Sequence, residues 1–130
     1  MTDSSVQMRV LYIDDDRING LLFEEACRLD DALEVQLAFD GEEAVAIAKE
    51  CPPDVLVVDL HLPDTDGFAL LGVLRDLPEC GTLPAFLCTA EEPADVLGRA
   101  IEAGYLACWP KPIDVRATLE TLRALRTRTA

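Results

Sequence analysis

The chain has no run of about 18 apolar residues, the length a helix needs to span a bilayer. Its start, MTDSSVQMR, also lacks the basic-then-apolar plan of a secretory leader. Both absences predict a cytoplasmic protein without a membrane partner. Basic residues are scarce: 11 Lys and Arg stand against 25 Asp and Glu, a formal charge of −14. A surface of that sign repels nucleic acid and anionic lipid, so the expected partners are proteins with basic surfaces and divalent cations. The five cysteines, Cys27, Cys51, Cys80, Cys88 and Cys108, include neither a CxxC pair nor a Cys/His cluster of zinc spacing. They read as reduced, structural thiols. Histidine occurs once, at His61. Linkers, repeats and low-complexity tracts are absent too.

What is present is 130 residues, half of them hydrophobic, enough for one core and too few for two. One domain over 1–130 is expected, with its core over about 8–126. Hydrophobic periodicity alternates between short β-rich runs and longer helical stretches, the sign of an α/β chain. Strands are predicted at 9–14 (RVLYID), 34–39, 54–59 (DVLVVD), 84–88 (PAFLC) and 105–109. Five helices follow them. The first is expected to face the core with Ile18, Leu21, Leu22 and Leu29, and the second, begun by Asp40, with Ala44, Val45, Ile47 and Ala48. The third offers Phe68, Leu70, Leu71 and Leu74, the fourth ends on a capping Gly104, and the last offers Val115, Leu119, Leu122 and Leu125. Arg116, Arg123, Arg126 and Arg128 favour the negative end of that last helix, and the tail RTRTA is expected to fray. Right-handed crossovers then predict a flavodoxin-like, doubly wound parallel sheet of five strands, order 2-1-3-4-5.

In such a sheet the residues just past each strand's carboxyl end meet at one edge. Asp14, Asp15 and Asp16 follow the first strand, Asp59 closes the third, Thr89 the fourth, and Lys111 follows the fifth. The strand order reverses between strands one and three, which places Asp15 and Asp59 on either side of a crevice. Crowded carboxylates resist ionising unless a cation compensates them, and all-oxygen ligands favour Mg2+, with Mn2+ the alternative. Lys111 can neutralise an anion beside Asp59, and the Thr89 hydroxyl can hydrogen-bond it. The chemistry expected is in-line attack by the Asp59 carboxylate on a phosphodonor, giving an acyl phosphate.

LYIDDD, VVDLHLPDTDGF, LCTAEE and WPKPI stand in this order at the predicted strand ends. With them the chain, from about Arg9 to about Leu125, resembles the receiver domain of the response regulators of two-component signalling. The resemblance implies that Asp59 is the phosphoacceptor, Asp15 the principal metal ligand, and Asp14 a ligand directly or through water. It implies that the His61 backbone carbonyl completes the protein's share of the metal shell, and that the Lys111–Pro112 peptide is cis. It further implies a histidine kinase or phosphotransfer protein as donor and an effector protein contacted through the last strands and helices. Such a chain catalyses its own phosphorylation and dephosphorylation and is not a turnover enzyme. The family's aromatic residue three positions before the lysine is replaced by Cys108, so the switch position pairs Thr89 with Cys108. Trp109 points to the opposite face of its strand and cannot substitute.

For several residues a structural role stands beside the functional one. Asp16, Asp64 and Asp66 read as turn and cap residues, and Cys88 and Cys108 as buried apolar fillers. His61, with Glu91, tunes dephosphorylation by water or else sits idle in solvent. Trp109 leans towards docking, as an edge-strand aromatic without a buried partner. Two rival functions are a receiver-like interaction module that works without phosphorylation, and an enzyme with an aspartyl nucleophile. The second ranks last because no further general acid or substrate-pocket motif is present.

Overall fold

A computed structural model describes residues 8–129, with strands β1 (Met8–Ile13), β2 (Leu33–Ala38), β3 (Val55–Asp59), β4 (Ala85–Thr89) and β5 (Ala107–Pro110). The helices are α1 (Arg17–Cys27), α2 (Gly41–Glu50), α3 (Gly67–Arg75), α4 (Pro93–Ala103) and α5 (Val115–Thr129). The readings of the first seven residues and of Ala130, and the side-chain role of Arg128, lie outside the described residues. Among the described residues no helix is long and apolar enough to cross a membrane.

All neighbouring strands pair in parallel, in the order β2-β1-β3-β4-β5, as expected. The centre of the sheet follows from composition: VLVVD in β3 and AFLCT in β4 are buried along their whole length, as strands covered on both faces must be. Alternation then divides the core. Leu11, Ile13, Leu56, Val58 and Leu87 face one layer with Leu71, Leu74 and Tyr105. Val10, Tyr12, Val57 and Phe86 face the other, with Phe23, Leu119 and Leu122.

The structure corrects the predicted inner face of α1. Ile18, Leu21, Leu22 and Leu29 are 69, 57, 61 and 77% exposed, whereas Gly20, Phe23 and Cys27 are buried. Leu29 falls past the end of α1, and at 3.6 residues per turn Ile18, Leu21 and Leu22 lie on the side of the helix opposite Gly20, Phe23 and Cys27, so periodicity alone could not choose between them. Packing chose. The Phe23 ring stacks on Tyr12 at 4.5 Å, and a Cβ on Gly20 would already lie 3.5 Å from Leu37, so this side lets the helix sit close to the sheet.

Smaller corrections share that cause. Val115 is 39% exposed at the start of α5, while Leu119 and Leu122 are buried. Phe68 is half-buried, its ring covered by the Arg99 guanidinium at 4.5 Å. Trp109 stacks on buried Phe86 at 4.4 Å, so it has the buried partner that the docking reading denied it. Arg123 and Arg126 both reach Asp30 Oδ2 at 3.0 Å, which joins α5 to the loop after α1. Gly104 closes α4 at φ +111°, a left-handed conformation that favours glycine. Leu71 is wholly buried between sheet and helices. Leu71→Ala is expected to cost about 3 kcal/mol in chemical denaturation, and a loss under 1 kcal/mol would refute this packing.

Candidate functional site

Parallel strands deliver the predicted residues to one edge. Asp59 ends the buried run of β3 and is itself 6% exposed; Asp14, one residue past β1, and Thr89, ending β4, are buried, while Asp15 is exposed. One oxygen from each of Asp14, Asp15 and Asp59 lies within 4.8 Å of the others. The Lys111 ammonium stands 3.0 Å from Asp14 Oδ2 and 3.0 Å from Asp59 Oδ2. The Lys111–Pro112 peptide is cis.

Electrostatics follow from burial. Removal from water pushes the Asp59 carboxyl up to about 6; the Lys111 hydrogen bond opposes this rise and the neighbouring Asp14 charge adds to it. For Lys111, burial acts downward, but hydrogen bonds and attraction from Asp59 and Asp14 outweigh it and raise the pKa. Three carboxylates balanced by one ammonium leave negative charge in excess, and the donors are all oxygen. That set fits a hard divalent cation such as Mg2+.

Around this centre the structure adds residues that the sequence reading missed. Tyr12 donates its hydroxyl to Asp14 Oδ2 at 3.2 Å, and burial raises its pKa, which keeps it a donor. The Asp16 amide donates to Asp14 Oδ1 at 2.9 Å, while the Asp16 side chain caps α1 as expected. Asp66 caps α3. Asp64 is more than a turn residue: it accepts from the amides of Gly41 at 2.8 Å and Glu42 at 3.0 Å, fastening the β3–α3 loop to the start of α2. These backbone bonds, led by that from Gly41, hold its carboxyl below the usual range. The aspartates at 14 and 64 were visible in the sequence, but their partners were not.

Thr89 Oγ accepts from the Glu91 amide at 2.9 Å, and the Lys111 amide donates to the Thr89 carbonyl at 3.0 Å. The hydroxyl proton of Thr89 is thus not used in its bond to Glu91. His61 and Glu91 meet at the rim, Nε2 to Oε2, at 2.5 Å. Bonds from Gly67 N to Leu60 O and from Leu62 N to Thr65 O bracket His61 without using its carbonyl. Cys108 is half-buried against the layer that holds Tyr105.

Fold and site together define a doubly wound α/β chain with an acidic, lysine-bridged notch at the carboxyl edge of its sheet. The chain belongs to the response regulator receiver domain family, whose model matches residues 10–123. It is 32% identical over 92% of its length to an uncharacterized 14.6 kDa protein of Leptolyngbya boryana, spanning 88% of that protein. It is 35% identical to the response regulator MprA of Mycobacterium avium over 94% of its own length, but spans only 52% of that relative. Of a protein-glutamate methylesterase/protein-glutamine glutaminase of Anaeromyxobacter dehalogenans, 35% identical, it spans 35%. Among solved structures, a putative response regulator from Chloroflexus aurantiacus superposes with a TM-score of 0.83 at 28% identity, covering 92% of this chain and 98% of that one. The chemotaxis response regulator CheY4 of Vibrio cholerae gives 0.82 at 25%, with the same coverage.

Proposed function

We propose that the chain is a signalling switch that accepts a phosphoryl group on Asp59 from a histidine kinase or phosphotransfer protein and then alters its contacts with an effector protein. The observation that carries this reading is Lys111 Nζ at 3.0 Å from both Asp14 and Asp59, a cation held where an anion beside Asp59 would need one. An Asp59 oxygen attacks phosphorus in line, and the bond from phosphorus to the donor's nitrogen breaks. The leaving nitrogen keeps the electron pair and takes a proton. Lys111 exchanges its carboxylate partner for a phosphoryl oxygen, and the Thr89 hydroxyl, whose proton is not used in its bond to the Glu91 amide, donates to another. Asp14, Asp15, Asp59 and the His61 carbonyl would hold Mg2+, which supplies charge neutralisation at the phosphoryl group. Water later cleaves the acyl phosphate and restores Asp59.

Cys108, where the family carries an aromatic, favours a second reading, an interaction module independent of phosphorylation; the Asp59–Lys111 pair weighs against it. Acetyl phosphate with Mg2+, followed by intact mass, decides between them. One labile phosphoryl adduct is expected, and a folded protein that gains none overturns the switch.

The His61–Glu91 pair spans the rim of the notch. His61→Asn is expected to open a path for water and to shorten the phosphoryl lifetime several-fold, measured as loss of adduct after the donor is removed. An unchanged lifetime removes His61 from this role.

A further inference from the structure

Tyr105 occupies a position that the described mechanism leaves unused. It is 2% exposed, and its hydroxyl donates to the Gly67 carbonyl at 2.6 Å, across 38 residues of sequence. Burial raises its pKa, so it remains a donor at any ordinary pH. Gly67 is the first residue of α3. Its amide donates to Leu60 O at 2.8 Å, and a Cβ added to it would stand 3.1 Å from Asp59 O and 3.2 Å from Leu60 Cα.

The other end of Tyr105 is equally constrained. Its amide donates to Ala100 O at 2.9 Å beside the left-handed Gly104, and the next amide, of Leu106, donates to Ala85 O at 2.8 Å. The phenol is therefore a strut from the end of α4 and the start of β4 to Gly67, whose own amide is bonded to the Leu60 carbonyl. A tyrosine hydroxyl in a core needs some partner, so the bland account is that Gly67 O merely satisfies it. Against that account stands the choice of partner: Gly67 is the residue whose amide bonds the Leu60 carbonyl and whose Cα lies so close to the Asp59–Leu60 backbone that an added Cβ would crowd it.

We infer that Tyr105 is a positioning residue for phosphoryl transfer, its hydroxyl holding the first turn of α3 against the Asp59–Leu60 peptide so that the acceptor carboxylate keeps its aim. This rests on the phosphoacceptor reading above. In-line transfer is sensitive to small displacements of the nucleophile, so loss of the strut costs rate.

Tyr105→Phe keeps the ring and removes only the hydroxyl. With acetyl phosphate and Mg2+ its phosphorylation rate is expected to fall about tenfold. Amide hydrogen exchange at Gly67 and Phe68 is expected to quicken while Val57, in the middle of β3, keeps its protection. Leu125→Ala, on α5 and away from the notch, serves as a destabilised control and should phosphorylate at the wild-type rate. A Tyr105→Phe protein with wild-type rate and wild-type exchange at Gly67 overturns the inference alone. A rate lost equally in Leu125→Ala overturns it as well, since general loosening then explains the effect. A wild type that gains no adduct overturns the phosphoacceptor reading and this inference with it. If Tyr105→Phe does not fold, Tyr105→Leu is measured on the same two readouts, with the same result overturning the inference.

Discussion

Asp59→Asn is expected to abolish the phosphoryl adduct while the chain stays folded and the notch keeps its shape. Asparagine has nearly the same size, and its carbonyl oxygen can still accept from Lys111, which holds Asp59 Oδ2 at 3.0 Å in the native protein. The amide, however, is not a nucleophile. Asp14 is the other buried carboxylate of the notch, but its oxygens already accept from Tyr12 and the Asp16 amide. Intact mass after exposure to acetyl phosphate and Mg2+ reads the result. An undiminished adduct on Asp59→Asn would show that another residue accepts the group, and the assignment of Asp59 would fall.

The second large effect concerns stability without metal. Burial raises the Asp59 pKa from 3.8 to about 6, with Lys111 opposing and Asp14 reinforcing the shift. The unfolded chain holds this residue near its ordinary value, so between 3.8 and about 6 the folded form binds more protons. Stability from this group is therefore greatest at low pH, declines as pH rises through that window, and is flat above it. The loss is on the order of 3 kcal/mol. Repulsion among the other carboxylates of a chain at −14 also grows with pH, so the wild type alone cannot isolate the effect. The difference between wild type and Asp59→Asn can. In metal-free solution Asp59→Asn is expected to melt several degrees higher at pH 7 and to lose this advantage near pH 4. Mg2+ is expected to raise the wild-type melting temperature at pH 7 and to do much less for Asp59→Asn, because an ion bound by the folded form adds to its stability. Identical melting curves for the two proteins at both pH values would contradict a buried carboxylate with a raised pKa.

Much of this architecture was legible in the sequence. VLVVD and AFLCT are local statements, since a strand covered on both faces must be apolar throughout, and the polar residue that ends such a run marks the sheet's edge. Asp14, Asp59, Thr89 and Lys111 were found in that way, and parallel pairing carried them to the same edge. The caps were equally local: Asp16, Asp40 and Asp66 each accept from amides two or three residues ahead.

Other features required the folded molecule. The α1 helix carries two stripes that could each have faced inward, and the richer aliphatic one lost because Gly20 and Phe23 fit the sheet more closely. Tyr105 meets Gly67 across 38 residues, His61 meets Glu91 across 30, and Asp64 meets Gly41 across 23. Sequence by itself determined which segments become strands, where their polar ends fall and which family the site resembles, because period and burial act over a few residues. Tertiary structure decided which helix face is covered, what each aspartate holds and how Tyr105 reaches Gly67. Those choices depend on shape complementarity and hydrogen bonds between distant segments, and no local pattern encodes them.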